Sequence, residues 1–283
     1  MPDIKSLYEV IKPKQTMLLM VTCIVSYLIA SGRYGFDFQN FTLSGLAVLL
    51  AVAGTTALNM WLDSDIDAVM SRTKHRPVPS GRLSARGCAL YGSTLFLAGF
   101  LIGLKVNLSF AAVLFAGLFF DIIVYTVMLK RKSPYSIVLG GLAGAMPALA
   151  GWTAAAGKID PAGILIAAIV LLWIPAHIWY LSMYFEEDYR IARIPMLPLV
   201  VGMEKASWAI VFSTSFILVF VAALYMMFGY TYMILAILLT TYFLYKAIKF
   251  ALSPSREGAK EMYKLASITL GVVYISMLIG AFT

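Results

Sequence analysis

The stretch Leu43–Gly81 reads LSGLAVLLAVAGTTALNMWLDSDIDAVMSRTKHRPVPSG. Its first half, residues 43–62, is apolar and long enough to cross a bilayer as a helix, which takes roughly 20 residues. It then turns polar, with Asp63, Asp65 and Asp67 followed by Arg72, Lys74 and Arg76. Asn59, Asp63 and Asp67 stand four residues apart. Four residues advance a helix by about 400°, so each group is turned only about 40° from the last. The three side chains share one face and Asp65 points away. The acids therefore lie where a span meets the membrane surface. Two carboxylates backed by a basic segment suit a Mg²⁺ ion holding a diphosphate, since Mg²⁺ is commonly bound by one or two carboxylates plus substrate phosphates.

The rest of the chain has the composition of a membrane protein. Of its 283 residues 61% are hydrophobic and 13% charged, against about 25% charged in soluble domains, and the mean hydropathy is +0.87. Nine runs are long enough to span, at about 16–32, 43–62, 86–104, 107–128, 136–156, 161–185, 206–228, 230–251 and 265–283. They are continuously apolar rather than alternating, which argues against a β-barrel. The expected class is an all-α polytopic bundle forming one domain over residues 1–283. Nine spans put the termini on opposite sides. All but three of the 22 Lys and Arg then fall on the side of the N-terminus, the exceptions being Arg33, Lys105 and Lys158. Positive residues mark the cytoplasmic side, so the N-terminus and the acidic segment are expected in the cytoplasm and the C-terminus outside. The +8 net charge reflects this topology, and its scatter over short loops argues against nucleic acid as a partner. The N-terminus MPDIKSLYEVIKPKQ has neither a cleaved-signal nor a transit-peptide pattern, so a prokaryotic plasma membrane is expected. Cys23 and Cys88 lack metal-ligand spacing and read as packing residues.

Two loops echo each other. DIDAVMSRTKHRPVPSGRLS (residues 65–84) and YFEEDYRIARIPMLPLVVGMEKAS (residues 184–207) each run from acid through Arg, Pro, Gly and a basic residue to a Ser suited to capping the next helix, Ser84 or Ser207. They lie four spans apart, which suggests two four-helix repeats plus a ninth helix, with both loops on one side. The bland alternative is that Pro and Gly merely end two helices. In the second loop Tyr184 and Asp188 keep the four-residue spacing, with Tyr in place of the first acid. Asp188 is the better metal candidate, and Glu186 and Glu187 read as surface groups.

Other polar residues stand in apolar surroundings. Lys130, Arg131 and Lys132 end the fourth span; they are positive-inside anchors, or Lys130 with Tyr125 and Thr126 faces the same diphosphate. Asp121 lies inside a span, where an ionisable group is a functional candidate, with a local bond to Tyr125 as the structural alternative. His177, in WIPAHIWYLSMYF, is an interhelical hydrogen-bonder or a ligand to a porphyrin iron. Trp173, Trp179 and Tyr180 line a cavity or form an interfacial belt.

Three segments, Asn59–Gly81, YTVMLKRKSPYSIVLGGLAGAMPALAGW (residues 125–152) and IPAHIWYLSMYFEEDYRIARIPMLPLVVG (residues 174–202), together resemble the motifs of the UbiA superfamily of intramembrane prenyltransferases. The resemblance covers about residues 10–280. It implies a nine-helix bundle whose cavity opens sideways to lipid beneath a cytoplasmic cap made by the two acidic loops. It also implies Mg²⁺ held by Asn59, Asp63, Asp67 and Asp188, with Arg72, Arg76, Tyr125 and Lys130 on the diphosphate of a polyprenyl donor. Lys74 and Arg131 stand close enough to be considered with them, and Tyr184 is a candidate shield for the allylic cation. Most members carry Asp where this chain has Tyr184; the heme-directed branch lacks that Asp too. The resemblance therefore implies farnesyl diphosphate as donor, a vinyl group of heme B as acceptor, His177 on the heme, and heme O plus diphosphate as products. A downstream heme A synthase or terminal oxidase is an implied partner. Geranylgeranyl as donor, and quinone or archaeal lipid precursors as acceptors, remain alternatives.

Overall fold

Each apolar run becomes one helix in the computed structural model, which describes residues 3–283, with backbone alone at 231 and 233. Among the described residues nine helices can cross a membrane by length and composition. They are α2 (Pro13–Tyr34), α3 (Phe38–Leu62), α5 (Ala85–Val106), α6 (Leu108–Leu129), α7 (Ser136–Ala156), α8 (Pro161–Tyr184), α11 (Met203–Ala223), the Ile234–Leu252 part of α12 (Tyr225–Leu252, kinked at Gly229) and α13 (Arg256–Ala281). Four short helices were not expected: α1 (Ile4–Val10), α4 (Ser64–Val69), α9 (Glu186–Ile191) and α10 (Leu197–Val201).

Side chains that accept from orphan amides set several helix starts. Asp37 accepts from Gln39 and Asn40, Ser84 from Gly87, Asn107 from Phe110, and Asp160 from Gly163 with Pro161 in the first turn. Ser84 thus caps α5 as its position suggested. Ser207 does not cap α11: the helix starts at Met203, and the Ser207 hydroxyl donates back to the Met203 carbonyl. The last helix begins at Arg256 rather than near 265, because Ser255 caps it and Glu257 suits its first turn. Its charged opening turns extend the apolar span as one helix.

The two halves meet where α2 packs on α7; α3 packs on α5, α8 on α11, and α13 on α12, α8 and α2. Lipid tails give no hydrophobic drive for these contacts, so close backbone approach matters. A Cβ at Gly54 would come within 2.5 Å of the Phe96 amide on α5, and one at Gly151 within 2.0 Å of the Cys23 carbonyl on α2. The loop echo has a structural counterpart. After α3 comes one break residue, Asp63, then the six-residue α4; after α8 comes Phe185, then the six-residue α9. Connectivity places both short helices at the end of the bundle opposite Arg33, Lys105 and Lys158.

Candidate functional site

Helix α3 stops at Leu62, yet its backbone ladder continues through the joint. The Asp63 amide donates to the Asn59 carbonyl at 2.9 Å and the Asp67 amide to the Asp63 carbonyl at 2.8 Å. Asn59, Asp63 and Asp67 therefore keep helical register although the helix breaks between them. Asp63 and Asp67 are 2% and 4% exposed. Asp65 faces outward, where both its oxygens accept from Arg131 at 2.6 Å. Arg131 also donates to the Leu62 carbonyl at the end of α3, so it braces this corner.

A cation stands against each buried acid. Arg76 Nη1 lies 2.9 and 2.7 Å from the two Asp67 oxygens. Lys130 Nζ donates to Asp63 Oδ2. Burial disfavours the Lys130 charge, but Tyr125 and the Asp63 carboxylate outweigh it and raise the ammonium pKa above that of a free lysine. Lys12, from the α1–α2 joint, donates to Asn59 Oδ1 at 3.1 Å. Burial, then the nearby Arg76, push its pKa down to about 8, with Asp67 and Asp63 pulling the other way. Lys12 holds its place with a left-handed backbone, φ +44°. Three cations thus surround two carboxylates, which leaves room in the charge balance for an anion.

The second half of α6 aligns this cluster. Residues Phe119–Leu129 form a π-helix, in which carbonyls accept from five residues ahead. The Lys130 amide donates to the Tyr125 carbonyl at 2.7 Å. The Thr126 hydroxyl donates to the Asp121 carbonyl at 2.8 Å and accepts from Asn59 Nδ2 at 2.9 Å. The suggested Asp121–Tyr125 side-chain bond does not form; Asp121 serves through its carbonyl. Lys130 Nζ lies 5.5 Å from the Tyr125 ring centroid, so both line the cluster.

Asp188 is placed differently. Its Oδ1 accepts from the Ser71 amide (2.9 Å) and hydroxyl (2.7 Å), and its Oδ2 from the Arg72 amide (3.2 Å). Burial raises its pKa, but the Ser71 and Arg72 donors win and hold it below the usual carboxylate range. Asp188 thereby ties the second acidic loop to the first. Arg72 makes no ion pair with Asp63 or Asp67; its guanidinium sits over the Phe185 ring, 5.3 Å from the centroid. Lys74 is exposed. Tyr184 packs edge-on against Phe185 with Lys260 over its ring. Glu186 pairs with Arg190, and Glu187 with Arg256, as surface groups. His177 lies between the rings of Trp173 and Tyr263. Sequence reasoning missed Lys12 and Ser71. Only the nearness of Lys12 to the first span marks it, and nothing local marks Ser71.

Among the described residues no three His, Cys, Asp or Glu side chains converge as a metal cage. Asp63 Oδ1 is nonetheless buried with no hydrogen-bond partner, an unmet acceptor of the kind a cation satisfies. A hard oxygen donor here, with Asp67 four residues on, fits Mg²⁺ shared with substrate phosphates.

Residues 19–268 match the UbiA prenyltransferase family. A protoheme IX farnesyltransferase of Archaeoglobus fulgidus is 59% identical over the full length of both chains. One from Korarchaeum cryptofilum is 45% identical, covering 94% of this chain and 90% of its own. Among solved structures, one described for digeranylgeranylglyceryl phosphate synthase has TM-score 0.83 at 21% identity, covering 99% of each chain. A UbiA homolog from Archaeoglobus fulgidus bound to GPP and Mg²⁺ has TM-score 0.67 at 13% identity, covering 96% of this chain and 99% of its own. These two likenesses concern the fold.

Proposed function

The chain belongs to the UbiA prenyltransferase family, and from that premise we propose that it transfers a farnesyl group from farnesyl diphosphate to a vinyl group of heme B. The names of its full-length relatives support the acceptor and donor. The observation that carries the chemistry is the buried Asp63–Asp67 pair, with its orphaned oxygen, inside a ring of Lys12, Arg76 and Lys130.

In the reaction the allylic C–O bond breaks and diphosphate leaves with the electron pair. The vinyl π electrons form the new C–C bond to the farnesyl carbon. Water adds to the resulting porphyrin-side cation and loses a proton, giving a hydroxyethylfarnesyl heme. Arg76, Lys130 and Lys12 face the charge that grows on the leaving diphosphate, where fixed cations stabilise the transition state most. Asp63 and Asp67, with Asn59 beside them, are the residues that would hold Mg²⁺, which would supply Lewis-acid stabilisation. Tyr125 lines the same cluster, where its ring can face the allylic cation. Asp188 positions the loop that carries Asp67 and Arg76. The site faces the cytoplasm of a prokaryotic plasma membrane, where soluble diphosphate departs. A heme-modifying enzyme or oxidase would consume the product.

The test is the purified protein with farnesyl diphosphate, heme B and Mg²⁺. Stoichiometric diphosphate and a heme heavier by one farnesyl group plus a hydroxyl are expected. Transfer of geranylgeranyl alone, or to a quinone or lipid precursor and not to heme, would replace this reading.

A further inference from the structure

A second cavity, of about 330 Å³, lies at the same end of the bundle, lined by Arg72, Leu181, Tyr184, Phe185, Lys260, Tyr263 and Lys264. Its polar groups are three cations and two phenols, and it contains no acid. Among the described residues none of the three cations is in an ion pair, and Arg72 Nε is buried with no hydrogen-bond partner. Lys12 and Arg76 line a different cavity, of about 940 Å³. One loop therefore turns Arg76 toward the carboxylate pair and Arg72 toward this second hollow, with Asp188 holding it between them.

The hollow is a groove between α8 and α13, and its lining residue Tyr263 stacks on His177 further along the same seam. On α8, residues 177, 181 and 184 are four and seven apart; on α13, residues 260, 263, 264 and 267 have the same helical spacing, so each set forms one stripe. His177 lies seven residues before Tyr184, about 10 Å further along the helix axis. The Trp173 indole donates to the Ala266 carbonyl at 2.7 Å and pins the two helices below this point. The His177 ring is held between Trp173 and Tyr263, with centroids 4.3 and 4.4 Å away.

A hydroxyl also stands beside one ring nitrogen of this histidine. The Ser267 hydroxyl donates to the Tyr263 carbonyl at 3.1 Å. Its oxygen lies 3.3 Å from His177 Nδ1 and can accept from an Nδ1 proton, the tautomer that leaves Nε2 its lone pair. A partner on one ring nitrogen that directs the other toward a metal is the usual outer-shell arrangement of a ligating histidine.

Cations at the mouth, aromatic walls, and a metal-competent nitrogen about 10 Å inside match a flat apolar macrocycle with two carboxylates on one edge and a metal at its centre. We propose that this groove seats the porphyrin acceptor, with its propionates on Arg72, Lys260 and Lys264 and its iron facing His177 Nε2. The inference rests on heme B being the acceptor and adds where and how it is held.

The test uses the purified full chain, with heme B and its dimethyl ester as probes in absorbance titrations and in steady-state transfer. Wild type should bind heme B about tenfold more tightly than the ester. A triple variant, Arg72→Gln with Lys260→Gln and Lys264→Gln, should lose that preference and raise the KM for heme B about tenfold. The KM for farnesyl diphosphate should stay unchanged, which also shows the variant is folded. His177→Ala should abolish the Soret shift while the preference for heme over ester persists. Ser267→Ala should alter the Soret band without changing that preference. Equal binding of heme and ester by wild type overturns the seat, as does a triple variant that raises the KM for the diphosphate instead. If wild type transfers farnesyl to heme but the variants behave normally, only the seat fails. If wild type takes no heme at all, the acceptor assignment fails with it.

Discussion

Asp63 has one oxygen on Lys130 and the other unmet, so it serves folding and chemistry through different atoms. Removing one partner of a buried ion pair typically costs about 3–5 kcal/mol because the other charge is stranded. Asp63→Asn should therefore lower thermal stability by about 3 kcal/mol and abolish transfer. Asp63→Asn combined with Lys130→Met should regain most of the stability, read by thermal unfolding, and none of the activity. Recovery of turnover in the double variant would contradict a direct role for the carboxylate. At this scale the sequence was informative where contacts are local. The four-residue spacing of Asn59, Asp63 and Asp67 is helical arithmetic, and it held across a break in the helix. The Lys12–Asn59 and Ser71–Asp188 bonds join residues 47 and 117 apart, and no local pattern encodes such distances.

Among elements, the short helices and the π-helical half of α6 shape the site. Asp188 holds α4 and α9 together through Ser71 and Arg72, and its pKa lies below the usual carboxylate value. A depressed carboxylate stabilises the docked cap above its unfolded pKa, and that contribution is lost as pH falls through the folded one. Asp188→Ala should speed proteolysis after Arg72 and Lys74 at neutral pH. Acidifying wild type below the carboxylate range should do the same, with the spans still folded by circular dichroism. An unchanged cleavage rate would mean that other contacts hold the cap. The spans themselves were legible from apolar length. The onset of α13 was not, because Arg256–Lys264 is charged and reads as a loop when hydropathy alone sets the boundary. Its helical periodicity gathers Lys260, Tyr263 and Lys264 on one face. The π-helix was equally hidden: the Lys130 amide reaches the Tyr125 carbonyl and the Thr126 hydroxyl the Asp121 carbonyl, each five residues back, whereas the expected pairing used an α-helical step of four.

For the whole molecule, the charge distribution predicts an orientation. Arg33, Lys105 and Lys158 mark one end and the remaining Lys and Arg the other, so the bundle should insert with α4 and α9 inside. Cys23 and Cys88 are buried, which leaves the wild type a quiet background for thiol labelling. In intact cells Lys158→Cys should react with a membrane-impermeant maleimide, and Lys74→Cys only after permeabilisation. The reverse pattern would invert the topology. The α1–α2 joint bears on the fate of the whole fold. Lys12 occupies a left-handed conformation directly before Pro13, which costs on the order of 1–3 kcal/mol, and its ammonium is further penalised by burial. Both costs vanish if glycine replaces it, and so does the cation beside Asn59. A screen that rewards heat resistance alone would thus find an easy gain at position 12 and discard turnover with it. Durability and catalysis compete at that residue.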